Sequence, residues 1–171
     1  MKKQMEWEAA IGLGDDTQRE VPAGKIIRLI ENCREQWREP GEQEIPWSFL
    51  EQLTNNLAIG GLAFINIQDP LFEGSNNNVS SSVEKYCLYT GQYMPKSYAE
   101  ILRILFESLV LEIRTALSDR MGEKISERSV LYTRGLYEIN SQVCQWIADA
   151  VQIQVLADFP EGKDQDKLFT P

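Results

Sequence analysis

A run of regularly spaced apolar residues in the second half of the chain constrains the fold more than any other feature. Apolar side chains recur there at every fourth position, namely at Ile101, Leu105, Leu109, Ile113 and Leu117. Ser97 and Glu100 precede this run with the spacing of a capping box, which satisfies free amides of the first helical turn. The pattern predicts a long amphipathic helix over 98–120 with a wide apolar face, ending near Gly122.

Shorter helices are predicted before the long one. Apolar residues follow helical spacing over 25–38, and a second helix is predicted to begin near Pro46, since proline suits a first turn. A polar stretch over 73–82 is expected to be an exposed loop, and a short helix is expected over 83–89. Residues 1–21 are weakly patterned and predict no element.

The last third of the chain changes character. Residues 129–133 and 152–157 are typical of strands, and a helical pattern over 140–151 separates them. A strand, a crossover helix and a second strand predict two parallel strands, with a very small sheet. The chain is therefore expected to be an α/β protein, mostly helical, with a long central helix and a small strand–helix–strand unit near the C-terminus.

Composition excludes several classes of function. The 17 Lys and Arg residues against 26 Asp and Glu residues give a net charge of −9, which argues against nucleic acid as a partner. The absence of histidine removes Ser-His-Asp catalysis and the commonest zinc sites. The cysteines Cys33, Cys87 and Cys144 lack metal-ligand spacing and are expected to be small core residues. No apolar run predicts a signal peptide or a membrane span, so a cytoplasmic protein without a membrane partner is expected.

Several groups of residues, in one order along the chain, carry a resemblance to a known family. They are Glu31-Asn32-Cys33-Arg34-Glu35-Gln36-Trp37, Asp69-Pro70-Leu71-Phe72, Tyr86-Cys87, Thr90-Gly91-Gln92, Pro95, Glu100-Ile101, Arg103, Glu107-Ser108-Leu109, Leu111, Arg114, Gln145 and Ala148-Asp149-Ala150. In this order they resemble the rhamnulokinase-type branch of the FGGY family of carbohydrate kinases. The resemblance covers about 25–161. It implies a weakly patterned segment over 1–24, a truncated C-terminal kinase domain over 25–161 and a frayed tail over 162–171.

The resemblance implies part of an actin-like or ribonuclease-H-like kinase domain. Members of this family phosphorylate a sugar, here L-rhamnulose, with ATP and Mg²⁺, and a second domain supplies the catalytic aspartate. For this chain the resemblance leaves no catalytic residue and no metal ligand. It assigns a remnant ATP site to Gly135, Asn140 and Glu161.

The chain departs from the family at the turn after the first predicted C-terminal strand. The family has Gly-Gly-Gly-Ser there, and this chain has Gly135-Leu136-Tyr137-Glu138. Large side chains would crowd a nucleotide that glycines let the backbone approach, and Glu138 would repel phosphates. The expected function is the nucleotide-side portion of a sugar kinase, inactive alone. The alternatives are a helical interaction or regulatory module and one half of a split kinase.

Other expectations follow from the same residues. Covering strands are missing, so the apolar face of the long helix is expected to be partly exposed and the chain to self-associate or to bind a complementary kinase half. Trp37, Trp47 and Trp146 form either a sugar platform or, as favoured here, parts of the core. Asp15-Asp16 is expected to be a solvated pair or a turn and not a metal site.

Overall fold

The computed structural model describes residues 8–13, 17–20, 24–74, 78–121, 129–158 and 167–171. It divides into two compact units, one of residues 25–109 and one of residues 1–24 with 110–171. The helices are α1 (Gly24–Gln36), α2 (Trp47–Asn55), α3 (Val79–Tyr89), α4 (Tyr98–Met121), α5 (Leu136–Ile139) and α6 (Ser141–Val151), with a 3-10 turn at Pro70–Phe72. The strands are β1 (Glu8–Leu13), β2 (Thr17–Glu20), β3 (Val130–Arg134), β4 (Gln154–Asp158) and β5 (Lys167–Phe169).

The unit of residues 25–109 is helical and contains one extended segment. Its core is formed by buried side chains of its helices, among them Ile26, Ile30, Leu50, Val83, Leu102 and Leu105. Between α2 and the 3-10 turn, Ala63, Ile65 and Ile67 are buried and the residues between them are exposed. This alternation is that of a strand buried on one face, although no strand pairs with the segment among the described residues.

The other unit contains a mixed five-stranded sheet in the order β2-β1-β3-β4-β5. Strands β3 and β4 are parallel, and every other pair of neighbours is antiparallel. Helices α5 and α6 connect β3 to β4. The predicted parallel strand–helix–strand unit is confirmed, and the mostly helical α/β class with it.

The sheet is larger than the sequence predicts. The prediction had two strands, whereas β1, β2 and β5 add three antiparallel neighbours. Strands β1 and β2 lie within the weakly patterned segment 1–24, and β5 lies within the tail expected to fray. Backbone hydrogen bonds hold such strands, so the side-chain pattern carries little signal for them. Glu161 and Asp15-Asp16 lie outside the described residues, and the domain boundaries at 25 and 161 stay predictions.

The long helix α4 begins and ends close to its predicted bounds. Ser97 accepts a hydrogen bond from the Glu100 amide at 3.2 Å, which is one half of the capping box. The carboxylate of Glu100 accepts from the Lys96 amide instead of the Ser97 amide, so the other half is shifted by one residue. The predicted exposure of the apolar stripe was wrong, because all five of its residues are buried and only Leu111 beside it is 42% exposed.

Helix α3 begins earlier than predicted. It starts at Val79, because the side chain of Asn78 accepts from the Ser81 amide at 3.0 Å and caps the helix. Residues 79–82, expected in a loop, therefore lie in its first turn.

Two expectations drawn from the composition concern the cysteines, which were expected in the core, and membrane-spanning segments, which were not expected. Cys33, Cys87 and Cys144 are buried, and burial raises the pKa of the Cys33 thiol to about 12. A thiol of this kind is a packing group and a poor nucleophile. Within the described residues, no helix has both the length and the apolar character needed to cross a membrane.

Thr133 on β3 offers a test of the core of the sheet. Its hydroxyl is buried and has no hydrogen-bond partner among the described residues. Thr133→Val keeps the β-branched shape and removes the unpaired group, whose burial costs about 1–3 kcal/mol. We expect the free energy of unfolding, measured by urea denaturation, to rise by about 1 kcal/mol.

Thr54→Val is the matched control, because the Thr54 hydroxyl is buried but donates to the Leu50 carbonyl at 2.8 Å. This variant should leave the free energy of unfolding unchanged or lower it. An equal fall in the free energy of unfolding of both variants would contradict the assignment of the Thr133 hydroxyl as a group without a hydrogen bond.

Candidate functional site

An ion pair on α4 holds the loop that follows α2. Arg103 Nε donates to Glu107 Oε1 at 2.6 Å, and both side chains are only 15% exposed. The second carboxylate oxygen of Glu107 accepts from the Gly61 amide at 2.7 Å. Arg103 also reaches the Thr54 carbonyl at the end of α2, at 3.5 Å. The pair therefore joins the end of α2 and the loop after it to α4, which is distant from both in sequence.

Gly60 lies directly against this ion pair. A Cβ atom there would lie 2.5 Å from Glu107 Oε1 and 2.8 Å from Arg103 Nη2. The neighbouring Gly61 has a φ of 67°, in the left-handed region that favours glycine. The two glycines thus allow the backbone to approach the ion pair closely enough for a hydrogen bond.

Side chains replace a neighbouring strand along the extended segment. Ser108 Oγ accepts from the Ile65 amide at 3.0 Å and donates to the Ile104 carbonyl at 2.6 Å. Gln92 accepts from the Phe64 amide at 2.8 Å and donates to the Phe64 carbonyl at 2.9 Å. These contacts satisfy backbone groups that a partner strand would otherwise satisfy.

Asp69 has a structural role at the 3-10 turn. It accepts from the Leu71 amide at 3.0 Å and from the Tyr89 hydroxyl at 2.5 Å. The hydrogen bond from Tyr89 and then that from Leu71 lower the pKa of Asp69 below its usual range. Phe72, at the end of the turn, packs on Tyr86 with ring centroids 5.5 Å apart.

The end of α1 is bound to α3 and α4 through Trp37. Its indole donates to Ser80 Oγ at 2.9 Å and stacks on Tyr98 with ring centroids 4.3 Å apart. Gln36 accepts from the Val79 amide at 2.9 Å. One turn earlier, Arg34 donates to the Ile45 carbonyl at 2.6 Å and lies 4.4 Å from the Trp47 ring centroid.

The residues that carry the family resemblance in this unit therefore act as a scaffold. Their polar atoms go to backbone groups and to each other. The tryptophans are half-buried and not deep in the core: Trp37 stacks on a tyrosine, Trp47 on a guanidinium, and Trp146 lies on α6 in the other unit.

The predicted nucleotide turn lies at the end of β3. Gly135 has a φ of 79° and leads into the one-turn helix α5. Leu136 is fully buried, so it packs in the core and is not on the surface where it was predicted to crowd a nucleotide. Tyr137 is half-buried and its hydroxyl accepts from Lys167 Nζ at 2.8 Å, while Glu138 is exposed.

Asn140 caps α6. It is buried, and its side chain accepts from the Gln142 amide at 3.0 Å. A side chain in this position occupies an amide at the helix N-terminus that an anion could otherwise use. Gly135 and Asn140 thus flank α5 and shape the connection from β3 to α6.

In the described part of the chain, no group of three or more Cys, Asp or Glu residues could hold a metal ion.

Comparison with known proteins gives one relative. No family model matches the chain. The chain is 28% identical over 130 residues to a rhamnulokinase of Bacteroides thetaiotaomicron. The aligned segment covers 75% of this chain and 25% of that protein. The chain thus matches about a quarter of the relative's length. The match supports a sugar-kinase-like relationship, in agreement with the resemblance in the motifs.

Sequence reasoning missed two parts of this arrangement. The contact of Gly60 and Gly61 with the ion pair of α4 joins residues far apart in sequence, and no local pattern reveals it. The contact between Lys167 and Tyr137 lies between residues far apart in sequence, and no local pattern reveals it.

Ser108 provides a test of the scaffold. Ser108→Ala leaves the buried Ile65 amide without its acceptor, so we expect the free energy of unfolding to fall by about 1–3 kcal/mol. Ser118→Ala on the exposed side of the same helix is the control and should change it by less than about 0.5 kcal/mol. Chemical denaturation measures both, and equal values for the two variants would refute the role of Ser108.

Proposed function

We propose that the chain is the nucleotide-side, C-terminal portion of a rhamnulokinase-like sugar kinase and does not phosphorylate L-rhamnulose by itself. The observation that carries this is the 130-residue match to the Bacteroides rhamnulokinase. The motif residues within residues 25–109 support it, because they form one hydrogen-bonded scaffold and not a scattered set of identities.

The turn at Gly135 is the reason for proposing that the chain does not catalyse phosphoryl transfer by itself. In a phosphoryl-transfer site, backbone amides and cations must lie close to the phosphates. Here only the first turn residue is a glycine, the next side chain is in the core, and Glu138 adds an exposed negative charge. Asn140 further uses an amide of α6 for its cap. Gly135 and Asn140 are therefore proposed as the remains of an ATP site, with Glu161 as a third member, and ATP with Mg²⁺ as the ligand of the family.

A second candidate is a non-catalytic interaction module, and the surface of α3 favours it. Leu88 is 68% exposed and the adjacent Tyr89 is 63% exposed. Adjacent exposed apolar residues at the end of a helix suit a protein partner. Self-association, a complementary kinase half and an unrelated partner remain the proposals for what binds there.

Isothermal titration of the chain with Mg-ATP tests the proposal that the remnant site does not bind the nucleotide. We expect no binding at millimolar or lower concentrations, because the Gly135 turn presents few free amides and one negative charge. Glu138→Ser is the matched variant: it restores the family residue at an exposed position, and it should bind Mg-ATP more tightly than the natural chain. Binding by the natural chain in the millimolar range or tighter would overturn the proposal.

A further inference from the structure

The extended segment of residues 62–67 has two backbone edges, and different parts of the chain lie along them. In an extended chain, successive residues direct their backbone groups to opposite edges. The Ile65 amide donates to Ser108 Oγ, so α4 lies along one edge. The amide and the carbonyl of Phe64 lie at the other edge, and the Gln92 side chain binds both of them.

Gln92 makes the hydrogen bonds that a residue of an antiparallel strand would make. In a hydrogen-bonded antiparallel pair, each residue accepts from the N–H and donates to the C=O of the residue opposite. The Gln92 amide accepts from the Phe64 N–H at 2.8 Å and donates to the Phe64 C=O at 2.9 Å. The contact lies at the surface, because Phe64 is 38% exposed and Gln92 is half-buried. Displacement of one side chain would therefore free both backbone groups of Phe64 for a strand.

Charged residues do not protect this edge. Natural proteins usually block an exposed strand edge with charged side chains or proline. Residues 52–68 and 86–95, which supply the edge and Gln92, contain no Asp, Glu, Lys or Arg, although the chain has a net charge of −9. The repulsion that keeps copies of an acidic protein apart is thus weakest at these two segments. Residues 62–68 also lack proline and carry β-branched and aromatic side chains, which is typical of strands that pair with their own kind.

We propose that the Phe64 edge docks a second copy of the chain and that Gln92 keeps the edge closed in the monomer. Two copies related by a two-fold axis place Phe64 of one opposite Phe64 of the other. Each Phe64 then satisfies the two backbone groups that Gln92 binds in the monomer. In this register Leu62 lies opposite Asn66, and the two exposed phenyl rings form a cross-strand aromatic pair. A two-fold contact of this kind closes on itself, so its product is a dimer and not a fibre.

Sedimentation equilibrium of the full chain tests the role of Gln92, because it measures the dissociation constant of the dimer. We expect Gln92→Ala to dimerise at least about tenfold more tightly than the natural chain, since two hydrogen bonds no longer compete with the second copy. Gln145→Ala is the matched control, because Gln145 also donates to a backbone carbonyl, that of Thr170, at 2.8 Å. The control should associate as the natural chain does. Equal dissociation constants for the two variants would overturn the proposal.

A charge at the two-fold axis tests the register of the pairing. Phe64→Glu in the Gln92→Ala background places two carboxylates opposite each other, which should raise the dissociation constant at least about tenfold. Phe49→Glu in the same background is the control, because Phe49 is 52% exposed on α2 and does not belong to the edge. This control should leave the dimer intact. A dimer that survives Phe64→Glu, or that is lost equally with Phe49→Glu, would refute the pairing.

Hydrogen exchange locates the contact between the two copies. In Gln92→Ala, the Phe64 amide should become more protected as the protein concentration rises, because the dimer binds it. The Ile65 amide should not change, since Ser108 binds it in monomer and dimer alike. A dimer that leaves the Phe64 amide unprotected would contradict the proposal.

Two features keep these measurements decisive. If Gln92→Ala does not fold, Gln92→Ser replaces it in all three measurements, because a serine side chain is too short to bind Phe64. Mg-ATP takes part in none of them, so their outcome is separate from that of the proposed function.

Discussion

The contact between the Arg103–Glu107 pair and the Gly61 amide is the constraint on which the helical unit depends. An ion pair four residues apart on an exposed helix is worth only tenths of a kcal/mol. Its importance here comes from what it binds, since it joins the end of α2 and the extended segment to α4. Ser108, one position further along, continues the same set of contacts. Glu107 and Ser108 both satisfy backbone amides of a segment that pairs with no strand among the described residues.

Under the proposed function, this arrangement would let a sequence keep the motifs of a sugar kinase without its chemistry. The residues within 25–109 that resemble the family bind backbone, stack on rings or cap turns. The residues proposed as the remains of an ATP site follow β3, where Gly135 leads into a short helix with Leu136 in the core. The scaffold and the proposed site thus lie on different segments of the chain.

The sequence predicted those elements whose side chains carry a regular pattern. Helix α4 and the parallel β3–α6–β4 unit were found, because buried apolar residues recur there with the period of each element. Strands β1, β2 and β5 were missed, since backbone pairing stabilises them: β1 pairs with β3, β2 with β1, and β5 with β4. The buried position of Leu136 was also missed, because a turn sequence does not reveal which side chain enters the core. Gly135 and Asn140 lie at the two ends of α5, and the side chain of Asn140 caps α6.

Exchange of segments with the Bacteroides rhamnulokinase tests the central claim most directly. One chimera carries residues 25–109 of this chain in place of the aligned segment, and a second carries residues 129–158. The measurement is the rate of ATP-dependent phosphorylation of L-rhamnulose by each folded chimera. The account predicts that the first chimera keeps activity, because it receives a scaffold, and that the second loses it, because it receives the altered turn. A folded first chimera without activity, or an active second chimera, would contradict the account.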